Sequence, residues 1–439
     1  MLGLAVAIAA ALLVGQPRAL HVVDVSPAAG AIDVSPASQI FVTFSRPLDA
    51  SLRPGAVVLS PATDGLVSVA GRRAAFTPRH RLQADTAYTL TIGGGIRDRS
   101  GRALASAVVS TFRTRALAAV ARVRERGLLH VGLRGEGAEI IGGAIGDFAV
   151  APSGAMAWID LTRHVLVVKR PRSAQTAVPL PDNLTVDALE WAHGENALLF
   201  LGSRAGGSGD PFVVRLDAAP SVRRLGGAET GELPAPLIIE RLKRSLVEVV
   251  YGRDSYTVTP GGAIVRDRTW DFVLVDLDGR RRSRLGPFLA VGDASTQGES
   301  ILVVDVDPAD PALRRSVALY DREGRLRPLS APGVDTHSPR FSHAGDHIVV
   351  ATAPAAGPPR RRRFGVAVID VASATQRVVT VPPAGMTDAE PRWSPDDAWL
   401  MFRRTSVDGE TGPQVWIVPA AGGEPRLLAG TVDAARWMP

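Results

Sequence analysis

The sequence contains no cysteine. That excludes disulfide frameworks, thiolate metal sites, cysteine nucleophiles and a lipid-modified cysteine anchor. Lysine is nearly missing too, with Lys169 and Lys243 the only two in 439 residues, so arginine carries almost all of the positive charge behind a net +6. Either an arginine-biased composition or an anion-binding surface accounts for this. Aromatic residues make up 5% and are sparse where arginines cluster, which argues against base stacking on a nucleic acid. There is no G-x-S-x-G elbow, H-E-x-x-H pair, phosphate loop or dinucleotide fingerprint. The glycine-rich stretch Gly132 to Gly137 has no helix signal after it and reads as a turn. Asp305 to Asp310 lacks the glycine and terminal glutamate of a calcium loop. No metal or cofactor is expected, and catalysis is not expected.

What is present begins with an apolar run, Leu2 to Gly15, followed by Gln16-Pro17-Arg18-Ala19. It is too short for a bilayer, which needs about 20 residues. It suits the apolar core and cleavage region of a secretory signal. No lysine or arginine precedes it, so an uncleaved anchor is the other reading. Residues 1–19 are therefore assigned to a signal peptide or N-terminal anchor. Any membrane association would run through this segment alone, and the expected location is periplasmic or at the cell surface.

Residues 20–115 carry short alternating runs with turn signals about every ten residues. Ile40 to Phe44, Ala56 to Leu59, Ala74 to Thr77, Ala87 to Ile92 and Val108 to Phe112 read as strands. The turns are Ser26 to Gly30, Arg53 to Gly55 and Asp98 to Gly101. Strands at this spacing predict a β-sandwich. The order of signals, from Ser26-Pro27 through Phe44-Ser45-Arg46-Pro47 to Thr111-Phe112-Arg113-Thr114, resembles the bacterial Ig-like domain of the surface-layer protein (SbsA) type. The resemblance implies a spacer or adhesive module on an exported protein. Tyr88 is read as a core or corner tyrosine.

Residues 116–439 repeat a four-strand unit every 40 to 50 residues, the length of a propeller blade. Its clearest copy is Pro391-Arg392-Trp393-Ser394-Pro395-Asp396-Asp397 followed by Trp399 to Phe402, Gln414 to Pro419 and Pro425 to Gly430. Thr185 to Trp191 and Thr431 to Trp437 open in nearly the same way, and His337 to Asp346 is a third copy. Looser copies open at Asp147, Leu237 and Phe288. Trp393-Ser394-Pro395-Asp396-Asp397 resembles the TolB-type propeller repeat, whose turn is Trp-Ser-Pro-Asp-Gly, with the glycine replaced here. The implied fold is an all-β chain: an Ig-like sandwich followed by a TolB-like (WD40-like) β-propeller. Seven blades are expected, with six as the alternative should residues 233 to 286 not form one.

The last residues hold a lone strand, whereas Ala119 to Val123, Leu128 to Leu133 and Ala138 to Ile141 read as three strands lacking a first. An unpaired strand edge is a liability. The C-terminal strand is therefore expected to close the ring, with Trp191, Trp393, Asp433 and Trp437 as closure residues. Connections between second and third strands are long: Ser203 to Pro211, Arg253 to Trp270, Asp307 to Arg315, Pro354 to Arg363 and Thr405 to Pro413. They carry Arg204, Arg253, Arg266, Arg268, Arg314, Arg315, Arg360, Arg361, Arg362 and Arg363, with Arg403 and Arg404 at a strand end. Clustered guanidinium groups can hold carboxylate or phosphate. The expectation is an exported, non-catalytic binding protein of the cell envelope. Its partner would be another protein or an anionic envelope polymer, met on the long-loop face. An enzyme (hydrolase or lyase) in the propeller funnel, and a structural subunit of a surface layer, are the alternatives.

Overall fold

In the computed structural model the described residues are 19–438, apart from 50–54, 94–95, 124–125, 135–136, 205–209, 218–219, 226–255, 267–270, 297, 308–309, 311 and 357–360. The segment read as a signal thus lies almost wholly outside them. No α-helix occurs among the described residues, whose strands are numbered β1 to β36 in chain order. The chain divides into two compact units, Met1–Ala116 and Leu117–Pro439.

The first unit pairs two four-stranded sheets. One orders β1 (Val22–Ser26), β3 (Ile40–Phe44), β6 (Arg73–Pro78) and β5 (Gly65–Ala70). The other orders β2 (Ala31–Val34), β8 (Val108–Thr114), β7 (Ala87–Ile92) and β4 (Val57–Ser60). Alternation in sequence becomes alternation in burial: along β3 the buried residues are Ile40, Val42 and Phe44. These join Leu59, Phe76, Leu90, Ile92 and Phe112 in one core, each such side chain worth about 1.5–3 kcal/mol on burial. Tyr88 is part of that core, its ring stacked on Phe112 at 5.5 Å. Its hydroxyl accepts the Gln83 amide at 2.9 Å, which satisfies the one polar atom that burial would otherwise penalise.

The second unit contains seven four-stranded antiparallel sheets among the described residues. One joins β9 (Ala118–Val123), β10 (Gly127–Gly132) and β11 (Gly137–Ile141) to the last strand of the chain, β36 (Ala434–Met438). Ala434 pairs with Arg122 and Met438 with Ala118, and the Asp433 amide donates to the Arg122 carbonyl at 2.9 Å. The other six are consecutive meanders. They open with β12 (Ile145–Val150), β16 (Thr185–Trp191), β20 (Thr257–Thr259), β24 (Ala290–Ala294), β28 (Val334–Phe341) and β32 (Met386–Trp393).

Neighbouring sheets share cores. Val120 and Leu128 meet Phe148 and Trp158, Leu199 and Val213 meet Val258 and Val273, and Val349 and Val366 meet Trp393 and Phe402. The first-strand tryptophans add a directed link. The Trp393 indole donates to the Arg340 carbonyl at 3.1 Å, and the Trp437 indole points at the Arg392 carbonyl at 3.5 Å.

The departure from glycine in the Ser394 to Ala398 turn has a structural reason. Asp397 sits at φ 57°, a region that aspartate tolerates better than most residues. Its carboxylate then accepts the main-chain amides of His343 and Ala344 and faces His343 Nδ1 at 2.7 Å, all in the turn of the preceding sheet. Glu195, at φ 53° in the equivalent turn after β16, likewise holds the Ser153 amide of the sheet before it. At two of the turns, then, an acid takes the backbone position of a glycine and clasps the neighbouring turn.

One expectation is corrected. The opening strand read at Leu237 lies outside the described residues, and Arg253 to Trp270 is not one long loop. It contains β20 and β21 (Gly262–Arg266), paired from Thr257–Ile264 to Thr259–Gly262. The physical cause is a short hairpin: β-branched Thr257, Val258 and Thr259, the breaker Pro260-Gly261, then Ala263-Ile264-Val265.

Candidate binding site

The long connections that do stand are those between β17 (Ala197–Ser203) and β18 (Asp210–Arg215), β25 (Ser300–Val306) and β26 (Arg315–Asp321), β29 (His347–Pro354) and β30 (Gly365–Asp370), and β33 (Trp399–Ser406) and β34 (Gln414–Pro419). In a meander, second-to-third connections all fall at the same end of their sheets. The structure sorts the predicted arginines there into three groups.

Arg315, Arg362 and Arg404 are internal, correcting the expectation of an open basic rim at these positions. Asp335, fully buried, takes Arg315 on both carboxylate oxygens at 2.7 and 2.9 Å, and Arg362 on Oδ2 at 2.7 Å. Arg404 holds the equally buried Asp388 at 2.6 and 2.9 Å, with the Thr380 hydroxyl donating to the same carboxylate at 2.7 Å. The Arg404 guanidinium also lies 4.6 Å from the Trp416 ring. A buried carboxylate must be matched by opposite charge, and these arginines supply it. Arg314 is half-exposed and tied to Asp310 at 2.5 Å.

Arg362 does more than neutralise. Its second terminal nitrogen donates to the Ala312 carbonyl in the β25–β26 connection. One side chain thereby ties the loops of two neighbouring sheets to the Asp335 carboxylate. Its chain neighbours Arg361 and Arg363 are exposed, as is Arg204. Arg253, Arg268 and Arg360 lie outside the described residues, and Arg266 ends β21.

Arg403 belongs elsewhere. It pairs with Glu390 at 2.7 Å and lines a cavity of about 460 Å³ between the opening strands. A funnel site is the enzyme alternative of the sequence reading, but apart from Arg403 its charged lining was not read from the sequence. Its walls carry Arg122, Arg340, Arg392, Arg403 and Arg436 against Asp147, Asp187, Glu190 and Glu390. The signal was there: Asp147, Glu190, Arg340, Arg392 and Arg436 each stand directly before the aromatic of an opening strand. Bulges aim them inward. The register breaks between Asp187 and Glu190, between His337 and Arg340, and between Ala389 and Arg392. Ala188, Ser338 and Glu390, inside those bulges, all have positive φ.

Most of the acids here already have work. Asp147 accepts the amides of Phe148 and Leu189 at 2.9 and 2.8 Å. Asp293 accepts the Phe341 amide at 2.9 Å and faces Arg340 at 3.8 Å, and Glu190 faces Arg340 at 4.0 Å. Burial, then the Asp147 charge, pushes the Asp187 carboxyl above its usual value. The guanidinium of Arg436, then burial, pulls Arg392 down to about 9. Burial raises the Tyr256 phenol well above its usual value, and its hydroxyl donates to the Leu199 carbonyl at 3.1 Å. Among the described residues no His/Cys/Asp/Glu group has metal-site geometry. No described helix is long and apolar enough to cross a membrane, which says nothing of strands.

Residues 16–114 match the bacterial Ig-like domain family. No curated protein matches the chain. Among solved structures, TolB of Acinetobacter baumannii is similar at 14% identity and TM-score 0.44, over 74% of this chain and 66% of that one. A puromycin-hydrolyzing peptidase of Mycobacterium tuberculosis is similar at 12% identity and TM-score 0.47, over 72% of this chain and 53% of its own. Hydrazine synthase of Kuenenia stuttgartiensis follows at 14% identity and TM-score 0.39, over 61% and 75%. At this distance none of them bears on activity or partners.

Proposed function

We propose that this chain is an exported, non-catalytic binding protein of the cell envelope. In this reading the Leu117–Pro439 unit is a seven-bladed propeller, closed by β36, and its long-loop face is the docking platform. The partner is another protein or an envelope polymer that presents carboxylate or phosphate groups. The Ig-like unit serves as a spacer, consistent with its match to a bacterial Ig-like family. The observation that carries the reading is Arg362. Its buried clasp fixes two loops to the frame and leaves Arg361 and Arg363 in solvent on either side. A loop held in place before binding loses less entropy on docking, which favours recognition. Exposed guanidinium pairs suit bidentate anion contacts.

The test replaces Arg361 and Arg363 by serine and keeps Arg362, which is tied to Asp335 and the Ala312 carbonyl. Capture from cell-envelope extract at low and high salt is compared with the parent. A partner bound by the parent, released by salt and lost from the variant supports the platform. Equal capture by both rejects it. The second reading, a hydrolase or lyase in the funnel, draws on the raised Asp187 carboxyl at a walled cavity. Turnover of envelope glycosides or peptides by the purified chain would favour it.

A further inference from the structure

The cavity between the opening strands holds five arginines against four carboxylates. Three of the arginines are spoken for: Arg403 by Glu390, Arg340 by Glu190 and Asp293, and Arg122 by the Gly146 carbonyl at 2.6 Å. Arg392 and Arg436, from neighbouring opening strands, form no ion pair among the described residues. Arg436 donates only to the adjacent Ala435 carbonyl at 3.1 Å and lies 5.7 Å from the Phe148 ring. Two guanidinium groups thus share a walled space in which each repels the other.

We infer that Arg392 and Arg436 form a subsite for a small oxyanion, a carboxylate or a phosphate, inside the cavity. An oxyanion between them would accept from both forks and offset their mutual repulsion. The space suits a small molecule, since pockets of a few hundred Å³ are typical for such ligands. The carboxylates on the same wall do not fill this role. Asp147 is held by two main-chain amides, and Glu390 and Glu190 pair with other arginines; their pull on Arg392 is smaller than the opposing effect of Arg436, burial and Arg340. Asp187 lies beside Asp147 and Arg122. The subsite is independent of the loop face, so either can fail without the other.

The experiment titrates the full chain, in chloride buffer at constant ionic strength, with inorganic phosphate in one arm and succinate in the other, by calorimetry. Saturable binding of either probe is expected, and the arm that binds tells phosphate from carboxylate. Arg392→Gln and Arg436→Gln should each weaken it at least tenfold, while Arg392→Lys, which keeps the charge but not the fork, should weaken it less. Replacing Arg325, an exposed arginine paired with Asp321 and Glu323 and outside both sites, by glutamine should leave it unchanged. In chloride alone the Arg392→Gln chain should melt no lower than the parent, because a repelled cation has been removed. Absence of saturable binding in both arms overturns the subsite, as does binding that survives Arg392→Gln and Arg436→Gln unaltered. Loss of binding in the Arg361, Arg363 variant would place the anion on the loops and overturn it too.

Discussion

Asp335 shows how far one residue can be read from a sequence. A carboxylate at the start of a strand looks unremarkable in the chain, yet it is fully buried and holds two arginines from two different connections. Burial acts to raise its pKa, but the hydrogen bonds and charges of Arg315, then Arg362, leave it below the usual carboxylate value. A depressed folded pKa contributes stability that is fully present above the unfolded value of about 4 and is lost as pH falls through the folded value. Asp335→Asn leaves two buried guanidinium groups without a counter-charge, so it should cost about 3–5 kcal/mol at neutral pH. Urea midpoints between pH 3 and 7 check both parts: the parent should lose stability below about pH 4, and the variant's profile should be flatter there. A variant as stable as the parent at pH 7 would show that Asp335 carries no charge-matching load. Sequence reading placed Arg315 and Arg362 on the surface because arginine in a loop is usually solvated. Only the fold brings Asp335 between them.

At the scale of the element, strands were the legible part. Period-2 alternation and paired turn residues fixed β3, β7, β9, β10 and β34 to within a residue or so. The near-repeat of Thr185 to Trp191 in Thr431 to Trp437 pointed to the pairing of β36 with β9. The β20–β21 hairpin was missed because its strands are short and carry no Trp-Ser-Pro-Asp signature. Bulges were missed because they depend on register between strands. The inward arginines of the cavity stayed hidden for that reason, even though their place before each aromatic repeats. Trp437 tests the element directly. It is nearly buried, with its strand paired to β9, so Trp437→Ala should cost about 3–5 kcal/mol. Chemical denaturation of the Leu117–Pro439 transition measures it. An unchanged midpoint would mean that β36 rests on its edge without contributing a core.

At the scale of the whole molecule the chain is two units, each with its own core, and the second is built by repetition of one motif. Repetition explains why so little chemistry is written in local sequence: within the second unit, successive repeats each supply residues at or beside the opening strand to the cavity and a connection to the loop end, and a site exists only when several stand together. The proposed function therefore depends on ring closure. The lack of cysteine makes closure directly measurable, because any thiol chemistry must come from what is introduced. Ala121 and Ala435 are partners in the β9–β36 ladder, and both are small and buried. Side chains directly opposite in such a ladder have Cβ atoms about 4.5–5.5 Å apart, near the span of a disulfide. The measurement is thiol titration and non-reducing electrophoresis of the Ala121→Cys, Ala435→Cys chain after mild oxidation. The closed ring predicts that both thiols disappear and the denatured chain migrates as a compact loop linking residue 121 to 435. Two thiols that stay free, with unchanged mobility, would contradict the closure and the platform built on it.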